Sequence, residues 1–410
     1  DGKKSKYEMY YRFSEPLRES AAHRILAIRR GASEGVLAWN IAVHEDEVIE
    51  FIESRILINA ECLFVKDIKK AVRVSLTRLL LSIEGEVFSR CVVRAEEEAI
   101  TVFAKNLKNL LLEAPAGHKT ILGIDPGFRT GCKVVVIDAY GTYREYHAIF
   151  PHPPQQDKPG ATRTLQALLK KYTIDLIAIG NGTASRETEQ FVKTIVATYK
   201  TIPVVMVSEA GASVYSASSI AKKEFPDLDV TVRGAISIAR RLQDPLSELV
   251  KIDPKSIGVG QYQHDVNQRQ LKKSLDQVVE SCVNYVGVEL NTASEALLSS
   301  VSGIGAVVAK NIILYRSEHG PFKKRSELKK VPKLGGKAFE QCAGFLRIRN
   351  SINPLDNSSI HPERYTIVTH MAADLSVDVK SLIGNDSLIR KIQVEKYVSE
   401  HTEAQFSHGL

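Results

Sequence analysis

Two short glycine-containing units within residues 298–348 have the chemistry of a phosphate-binding surface. In each unit an apolar residue precedes a tight glycine turn, and a predicted helix follows. Glycine lets backbone approach a ligand closely, and the unpaired N–H groups that open a helix favour an anion. Lysine and arginine side chains add positive charge around both turns. The predicted phosphate contacts are Gly303, Gly305, Lys310, Lys323, Lys324, Arg325, Lys333, Gly335, Gly336 and Lys337.

Contacts of this kind position a nucleic acid without reading its bases, because phosphate carries no sequence information. The order of apolar residue, glycine turn and helix resembles a tandem helix-hairpin-helix module, with Gly-x-Gly in the first turn and Gly-Gly in the second. The resemblance implies sequence-independent binding of RNA, DNA or both. The alternative is a turn in a helical bundle whose charged residues only face solvent.

Four regions of the chain are expected to position these units. Residues 1–118 form a helical region, because apolar residues recur there every three or four positions. Short apolar runs on both sides of residues 31–35 predict one β-hairpin within that region. Residues 250–350 form the helical module with the tandem hairpins, and residues 351–410 form a C-terminal helical linker.

Residues 119–249 are different, because five short β-rich runs follow the helix-breaking segment Ala-Pro-Ala-Gly at 114–117. Three runs lie close together, and helices separate the last two. Closely spaced strands pair antiparallel, whereas strands joined through a helix pair parallel. The order predicts a mixed five-stranded sheet covered by helices, as in an RNase H-like fold. The fold class is therefore multidomain and mostly α, with one α/β domain.

Three longer segments resemble the Tex transcription accessory proteins of bacteria: GIDPGFRTG (123–131), GNGTASRETE (180–189) with SEAGASVYSAS (208–218), and RGAISIARRLQDPLSELVKIDPKSIGVGQYQHDV (233–266). The resemblance covers essentially the whole chain. It implies a YqgF/RuvC-type RNase H-like domain, helix-hairpin-helix motifs and a role in transcription, with RNA polymerase or other transcription proteins as further partners. That family also has a C-terminal OB-type RNA-binding domain. We expect this chain to be a fragment without it, because no β-barrel pattern occurs before residue 410.

Nucleases of the RNase H-like fold hold one or two Mg²⁺ ions between several carboxylates. Asp125 ends the first β-rich run and Glu209 follows the last, so these two are the candidate catalytic acids and the candidate Mg²⁺ ligands. The other places where the fold can carry an acid have Asn181 and Arg233, and an arginine would repel Mg²⁺. Two carboxylates alone usually form a weak Mg²⁺ site. We therefore expect a non-catalytic domain with no resident metal or other cofactor.

The composition agrees with a nucleic-acid-binding protein. The 410 residues carry a net charge of +7, which is mildly basic. The five cysteines show no C-x-x-C spacing, and neither H-E-x-x-H nor G-x-x-x-x-G-K-[ST] occurs, so disulfide, zinc and P-loop chemistry have no support. No apolar run approaches the ~18 residues of a membrane helix. We expect a cytoplasmic protein with no membrane partner.

Three functions follow from these patterns. The leading hypothesis is a non-enzymatic transcription factor of the accessory or elongation type that binds phosphate backbones through the hairpins. The first alternative is a Mg²⁺-dependent nuclease or resolvase that uses Asp125 and Glu209. The second is a scaffold that docks onto transcription proteins through the long helical region at residues 45–112.

Overall fold

The structure of the protein is a computed structural model that describes residues 4–57, 63–198 and 202–397. The chain divides into two units, Asp1–Leu107 with Gly258–Leu275 and Lys108–Ile257 with Asp276–Leu410. Residues 398–410 of the predicted linker lie outside the described part. Across the described ranges, no helix has the length and apolar character needed to span a membrane. The division into four domains expected from the sequence stays a prediction.

The helices and strands are bounded as follows. The helices are α1 (Ala22–Ser33), α2 (Glu45–Ile56), α3 (Val65–Leu111), α4 (Lys158–Lys171), α5 (Ser185–Val196), α6 (Ala212–Ala217), α7 (Ser219–Glu224), α8 (Val230–Gln243), α9 (Pro245–Leu249), α10 (Gln268–Val286), α11 (Glu295–Ser299), α12 (Ala306–His319), α13 (Gly336–Cys342), α14 (Tyr365–Asp374), α15 (Val379–Leu382) and α16 (Asp386–Ile389). The strands are β1 (Ile121–Asp125), β2 (Cys132–Ile137), β3 (Tyr143–Ile149), β4 (Leu176–Gly180), β5 (Val204–Val207), β6 (Val288–Glu289) and β7 (Leu346–Arg347).

The first unit is helical, but the β-hairpin predicted around residues 31–35 is wrong. Its first apolar run lies inside α1, and the described part of residues 1–118 contains no strand. Short apolar runs do not distinguish a strand from a buried helix, which explains the error. The second run continues as a non-helical segment in which Trp39 stacks on Phe88 of α3, with ring centroids 3.8 Å apart. Packing against a helix therefore replaces strand pairing.

The sheet of the second unit confirms the predicted fold class. Its strand order is β3-β2-β1-β4-β5. The closely spaced strands β1, β2 and β3 pair antiparallel, and β4 and β5, which helices separate, pair parallel. This is the mixed sheet with RNase H-like order that the sequence predicts.

Helices cover both faces of this sheet. Leu122 and Ile124 of β1 face the core formed with α4 and α5, whereas Ile121 faces the core formed with α8. A Cβ added to Gly123 would lie 2.6 Å from the Cβ of Ala239, so the glycine permits α8 to pack directly on the central strand. Asp229 caps α8 by accepting a hydrogen bond from Thr231 N at 2.8 Å. The start of α8 is thereby fixed beside the carboxyl end of β1.

The segment that carries the glycine turns begins and ends at a second, two-stranded sheet. Strand β6 follows α10 and pairs parallel with β7, which follows α13. The pairing joins Val288 to Leu346 and so closes the segment between them into one module. These two short strands were not predicted, because two residues are too few to produce a pattern in the sequence.

Candidate nucleic-acid interface

The two glycine turns are copies of one structure, offset by 30 residues. Gly303 has φ +81° and Lys333 has φ +65°, so each turn contains one residue in the left-handed region. Two residues later, Gly305 (φ −82°, ψ 169°) and Gly335 (φ −77°, ψ 173°) have nearly identical conformations and precede α12 and α13. Both turns predicted from the sequence are present, and their backbone conformations are similar at these two positions.

Backbone hydrogen bonds repeat with the same offset. Ile304 N donates to Val301 O at 3.0 Å, and Leu334 N donates to Val331 O at 3.1 Å. All four of these apolar side chains are buried. Two buried apolar residues therefore anchor each turn, and its glycine-containing part is exposed to solvent.

Each turn also contacts the helix of the other copy. Asn311 of α12 donates from Nδ2 to Pro332 O in the second turn at 2.8 Å. Gln341 of α13 holds the equivalent position, and its Cβ would lie 2.8 Å from a Cβ built on Gly303 in the first turn. These reciprocal contacts give the module approximate twofold symmetry and fix the two turns relative to each other.

The turns are open to solvent, as a phosphate-binding surface requires. Gly303, Gly305, Gly335 and Gly336 are exposed. A Cβ added to any of the last three would meet no atom within 4 Å. Because Gly305 has no side chain, the first N–H groups of α12 lack the side-chain cap that serine or aspartate would supply. The first N–H groups of α12 are therefore available to an anion bound at the turn.

Most of the predicted basic residues are also exposed, and they are concentrated around the second turn. The exposed lysines are Lys310, Lys323, Lys324, Lys329, Lys330, Lys333 and Lys337. The first turn has a carboxylate in direct contact, since Ser302 Oγ donates to Glu280. The positive potential is therefore uneven, and the second turn is the stronger site for an anion.

Arg325 is a correction to the predicted interface. Its side chain is 1 % exposed, and its guanidinium donates to the carbonyl oxygens of Ile360 (2.7 Å) and Ser358 and to the hydroxyl of Tyr365 (2.9 Å). Its backbone N donates to the carboxylate of Asp356 at 3.0 Å. The charge ties the hairpin module to the following segment, so it does not face a phosphate.

Lys333 occupies the left-handed position of the second turn, where the first turn has a glycine. The residue that matches Gly303 is Lys333, and Gly336 matches Ala306. A residue with a side chain pays about 1–2 kcal/mol in the left-handed region, where glycine is nearly free of strain. A lysine in this strained conformation is a candidate for a role in binding.

This strain gives a prediction for Lys333→Gly. Relief of the left-handed strain, reduced by the flexibility of glycine, should stabilise the protein by about 0.5–1 kcal/mol, measured by thermal unfolding. Lys337→Gly is the matched control, because it removes the same charge from an ordinary helical position and should destabilise by up to about 1 kcal/mol. Equal destabilisation by the two variants would contradict the strain at Lys333.

A second group of candidate residues lies at the carboxyl ends of the parallel strands. Asp125 ends β1, and Glu209 follows β5. Burial and, second, the nearby Glu209 carboxylate raise the pKa of Asp125 to about 6, and the Lys133 ammonium opposes both. Asn181 Oδ1 accepts a hydrogen bond from Glu209 N at 3.1 Å, and Arg241 donates to the carbonyl oxygens of Ser208 (2.8 Å) and Ala210 (2.7 Å). The structure thus brings the two predicted acids together and fixes the Glu209 loop.

The residues around these acids do not fit a two-metal centre. Lys133 is 7 % exposed and lies opposite Asp125 in the register of β1 and β2, and its ammonium donates to Thr130 Oγ1 and to Gly131 O at 2.9 Å. These contacts hold a cation near the first carboxylate. Helix α8 faces Asp125 with Gly234, since a Cβ added there would lie 3.4 Å from Asp125 Oδ2. Within the described ranges, no group of three or more His, Cys, Asp or Glu side chains could hold a metal ion. Two carboxylates with a cation already held near them are a poor match for Mg²⁺.

Arg233 is a second correction at this site. The sequence analysis placed its charge where a third carboxylate would hold Mg²⁺. Its guanidinium instead donates to the carbonyl oxygens of Phe225 (3.0 Å), Ser216 (3.4 Å) and Pro226 (3.4 Å). The neighbouring Gly234 faces the acids instead. No side chain of α8 therefore occupies the position where Arg233 was expected to repel Mg²⁺.

Three residues of these sites, Lys133, Asn311 and Gln341, were not predicted from the sequence. A lysine inside the otherwise apolar run CKVVVI was a signal for Lys133, because a buried lysine needs partners. The equal 30-residue spacing of Asn311 and Gln341 could have been found by aligning the two turns. Their reciprocal contacts become visible only in three dimensions.

The five-stranded sheet and the two symmetric hairpins together define the class of protein: a multidomain protein with an RNase H-like domain and a helix-hairpin-helix module. Residues 119–243 match the Tex protein YqgF-like domain, and residues 1–103 match the Tex central region. Residues 283–347 match the helix-hairpin-helix motif, and residues 353–407 match an HHH domain where only a helical linker was predicted. The chain belongs to the Tex family of transcriptional accessory proteins.

Curated relatives extend this assignment over nearly the whole chain. "Protein tex" of Bordetella pertussis is 51% identical over 407 residues, which are 95% of this chain and 52% of that protein. "Transcriptional accessory protein Tex" of Neisseria gonorrhoeae is 49% identical over 96% of this chain and 53% of that protein. "S1 RNA-binding domain-containing protein 1" of Homo sapiens is 41% identical over 84% of this chain and 35% of that protein. The chain spans about half the length of the two bacterial relatives.

Proposed function

We propose that this chain binds the sugar-phosphate backbone of nucleic acid through its two hairpins, without reading base sequence, as part of a transcription accessory or elongation-type factor. The single observation that carries the proposal is the 30-residue structural repeat, which presents two exposed turns at fixed separation. Lysines surround the second turn, where Gly335 and Lys337 open α13. Backbone amides and lysine side chains are the groups that contact phosphate in sequence-independent complexes.

Symmetry in the module matches a property of the ligand. Successive phosphates along a backbone are chemically equivalent, so two equivalent turns can each bind one of them. Neither turn presents a pair of polar side chains arranged to read a base edge, as direct readout in a groove requires. The expected binding is therefore electrostatic, uniform across sequences and strongly dependent on salt.

Titration of duplex DNA and duplex RNA of two unrelated sequences, each at several salt concentrations, tests this function. Within each type of duplex, the two sequences should bind with equal affinity. The logarithm of affinity should fall linearly with the logarithm of salt, with a slope of about −0.9 per phosphate contact on B-form DNA. A preference for one sequence, or binding that ignores salt, would refute backbone recognition.

Under the same proposal the RNase H-like domain has no catalytic role and serves as a support for the hairpin module. The chemistry of the site favours this proposal, because the Lys133 ammonium is held near the acid pair and Gly234 stands where a further carboxylate would be needed. A nuclease is the second candidate, favoured by the approach of Glu209 to Asp125. Cleavage of branched DNA, single-stranded DNA or RNA in Mg²⁺ or Mn²⁺ that disappears in Asp125→Asn would establish that second function.

Partners beyond nucleic acid are proposed from the printed names of the relatives. Two of them are named for Tex and one for an S1 RNA-binding domain. We propose RNA polymerase or another transcription protein as a partner and the cytoplasm as the location. Recovery of polymerase with this chain after nuclease treatment would show direct protein contact, whereas loss of polymerase would show that nucleic acid bridges the two.

A further inference from the structure

A groove of about 510 Å³ lies beside the second hairpin. Asn311, Tyr315, Glu318 and His319 of α12 line one side of it, and Lys330 and Pro332 line the other. Pro332 belongs to the second turn itself and is held by Asn311. The groove is therefore continuous with the surface proposed to bind phosphate. None of the phosphate contacts predicted from the sequence lines it.

Two aromatic rings that line this groove, Tyr315 and His319, belong to a stack of three. The rings of Tyr315 and His319 are 4.3 Å apart and 11° from parallel, and the rings of Tyr315 and Phe322 are 5.2 Å apart and 21° from parallel. Phe322 is buried at the inner end, and His319 is exposed at the outer end. The stack thus ends at the imidazole of His319, which is exposed to solvent.

The stack is rigid before any ligand binds. Asn291 holds Phe322 through two backbone contacts, donating to Phe322 O at 3.0 Å and accepting from Phe322 N at 2.8 Å. His319 Nδ1 lies 3.1 Å from Tyr315 O, and since a carbonyl only accepts, Nδ1 carries the proton. The ring plane of His319 is therefore fixed, so little conformational entropy is lost when another flat ring packs on it.

We propose that this groove takes an unpaired nucleobase from the strand whose phosphates lie at the second hairpin. Aromatic side chains beside a positively charged backbone track are the pattern by which proteins hold single-stranded nucleic acid. Lys330 supplies the charge inside the groove, and Lys333 and Lys337 continue it onto the hairpin. Glu318 and Asn311 offer polar atoms to the edge of the base, whereas its flat face packs on His319.

The inference rests on the proposed function, because the hairpin must hold the backbone for the base to reach the groove. It adds a substrate class to that function. Fully paired duplex can use only the hairpins, whereas a strand with a bulge, a gap or a free end can use the hairpins and the groove together. The protein should therefore bind nucleic acid with an unpaired base more tightly than the matched duplex.

Oligonucleotides containing 2-aminopurine test the inference with the full 410-residue chain. The probe base is placed in a single-nucleotide bulge, in a single strand and in a matched duplex, each made as DNA and as RNA. On binding, fluorescence of the bulged and single-stranded probes should fall, because the base stacks on His319. Comparison of the two sugar types shows which nucleic acid the groove accepts.

His319→Ala should abolish that fall and weaken binding of the bulged probe about fivefold or more, the low end of what one base–aromatic stack contributes. Affinity for the matched duplex should stay within about twofold, since the hairpins are unchanged. His319→Phe keeps a flat ring and should keep the stacking signal. His370→Ala, which removes an exposed histidine from α14, is the matched control and should behave as the unaltered protein.

The outcomes separate the groove from the hairpins. If duplex binds but His319→Ala leaves the bulged probe and its fluorescence unchanged, the groove proposal is wrong and the hairpin function stands. The same result is expected if the groove holds a protein segment instead. If no oligonucleotide binds, both proposals fail.

Discussion

Replacement of Lys310, Lys333 and Lys337 together by alanine should lower affinity for duplex DNA on the order of a hundredfold near 0.1 M salt. Each phosphate contact contributes about 0.9 to the log–log salt slope, so three contacts contribute about 2.7 (3 × 0.9). The loss should therefore be largest at low salt and should shrink as salt rises. Fluorescence anisotropy titrations over a range of salt measure both quantities.

The three lysines should not contribute equally. Lys333 and Lys337 belong to the second turn, where exposed lysines are concentrated, whereas the first turn has Glu280 as a neighbour. Most of the loss should thus appear in the pair Lys333→Ala with Lys337→Ala, and Lys310→Ala alone should have the smaller effect. The reverse order would place the phosphate at the first turn instead.

A charge-matched control separates local contact from net charge. Lys170, Lys222 and Lys223 are exposed lysines of the RNase H-like domain, and their replacement by alanine removes the same three charges. Binding and salt slope should change little, because these lysines lie outside the hairpin module and the reach of an exposed charge is limited to a Debye length of about 10 Å. If both triple variants lose affinity equally, the hairpins are not the binding surface.

The hairpins show how far sequence reasoning can reach. Their existence, their exposed glycines and their lysines follow from local rules about turns and helix starts. The left-handed conformation of Lys333 does not, because no local rule assigns that backbone conformation to a lysine. Burial of Arg325 is also beyond local pattern, since its partners Ser358, Ile360 and Tyr365 lie more than 30 residues away in the chain.

The sheet domain divides in the same way. Spacing of the β-rich runs was enough to predict five strands and their parallel or antiparallel pairing. The pairing of Lys133 with Asp125 depends on strand register, which β-rich composition does not specify. Whether Arg233 or Gly234 faces the acids depends on the rotation of α8 about its axis. The two acids were therefore predictable, but their electrostatic surroundings were not.

Those surroundings predict that Asp125→Asn stabilises the RNase H-like domain at pH 8. The pKa of Asp125 is about 6 in the folded protein against 3.8 for an ordinary aspartate, so ionisation above pH 6 opposes folding. The shift of about 2 units corresponds to roughly 3 kcal/mol at most, at about 1.4 kcal/mol per unit. Asparagine has the same shape and no charge, and it removes this cost.

The pH dependence has a defined sign. A raised folded-state pKa favours the protonated acid, so the contribution of Asp125 to stability is fully present below about pH 4 and is lost as pH rises through 6. The advantage of Asp125→Asn should therefore be largest at pH 8 and should vanish near pH 4. Hydrogen exchange in peptides from β1 and β4 measures it locally, whereas the only tryptophan, Trp39, lies in the other unit.

Asp138→Asn supplies a control of opposite sign. Hydrogen bonds from Thr142 and Tyr140 and the guanidinium of Arg144 lower the pKa of Asp138 despite partial burial. Its contribution to stability is present above the ordinary pKa and is lost as pH falls, so Asp138→Asn should destabilise at pH 8 and converge with the unaltered protein at low pH. Parallel behaviour of the two variants would show a general effect of amide substitution.

Added Mg²⁺ converts the same measurement into a test of the metal site. If the Lys133 ammonium already supplies the positive charge near Asp125, added Mg²⁺ should slow hydrogen exchange at the strand ends equally little in the unaltered protein and in Asp125→Asn. Protection of the unaltered protein alone would mean that the two carboxylates capture the ion against the lysine charge. Ligand binding to the folded state raises its stability by mass action, so even a weak site would be detected at high Mg²⁺. Asp125 would then regain its place as a candidate catalytic acid.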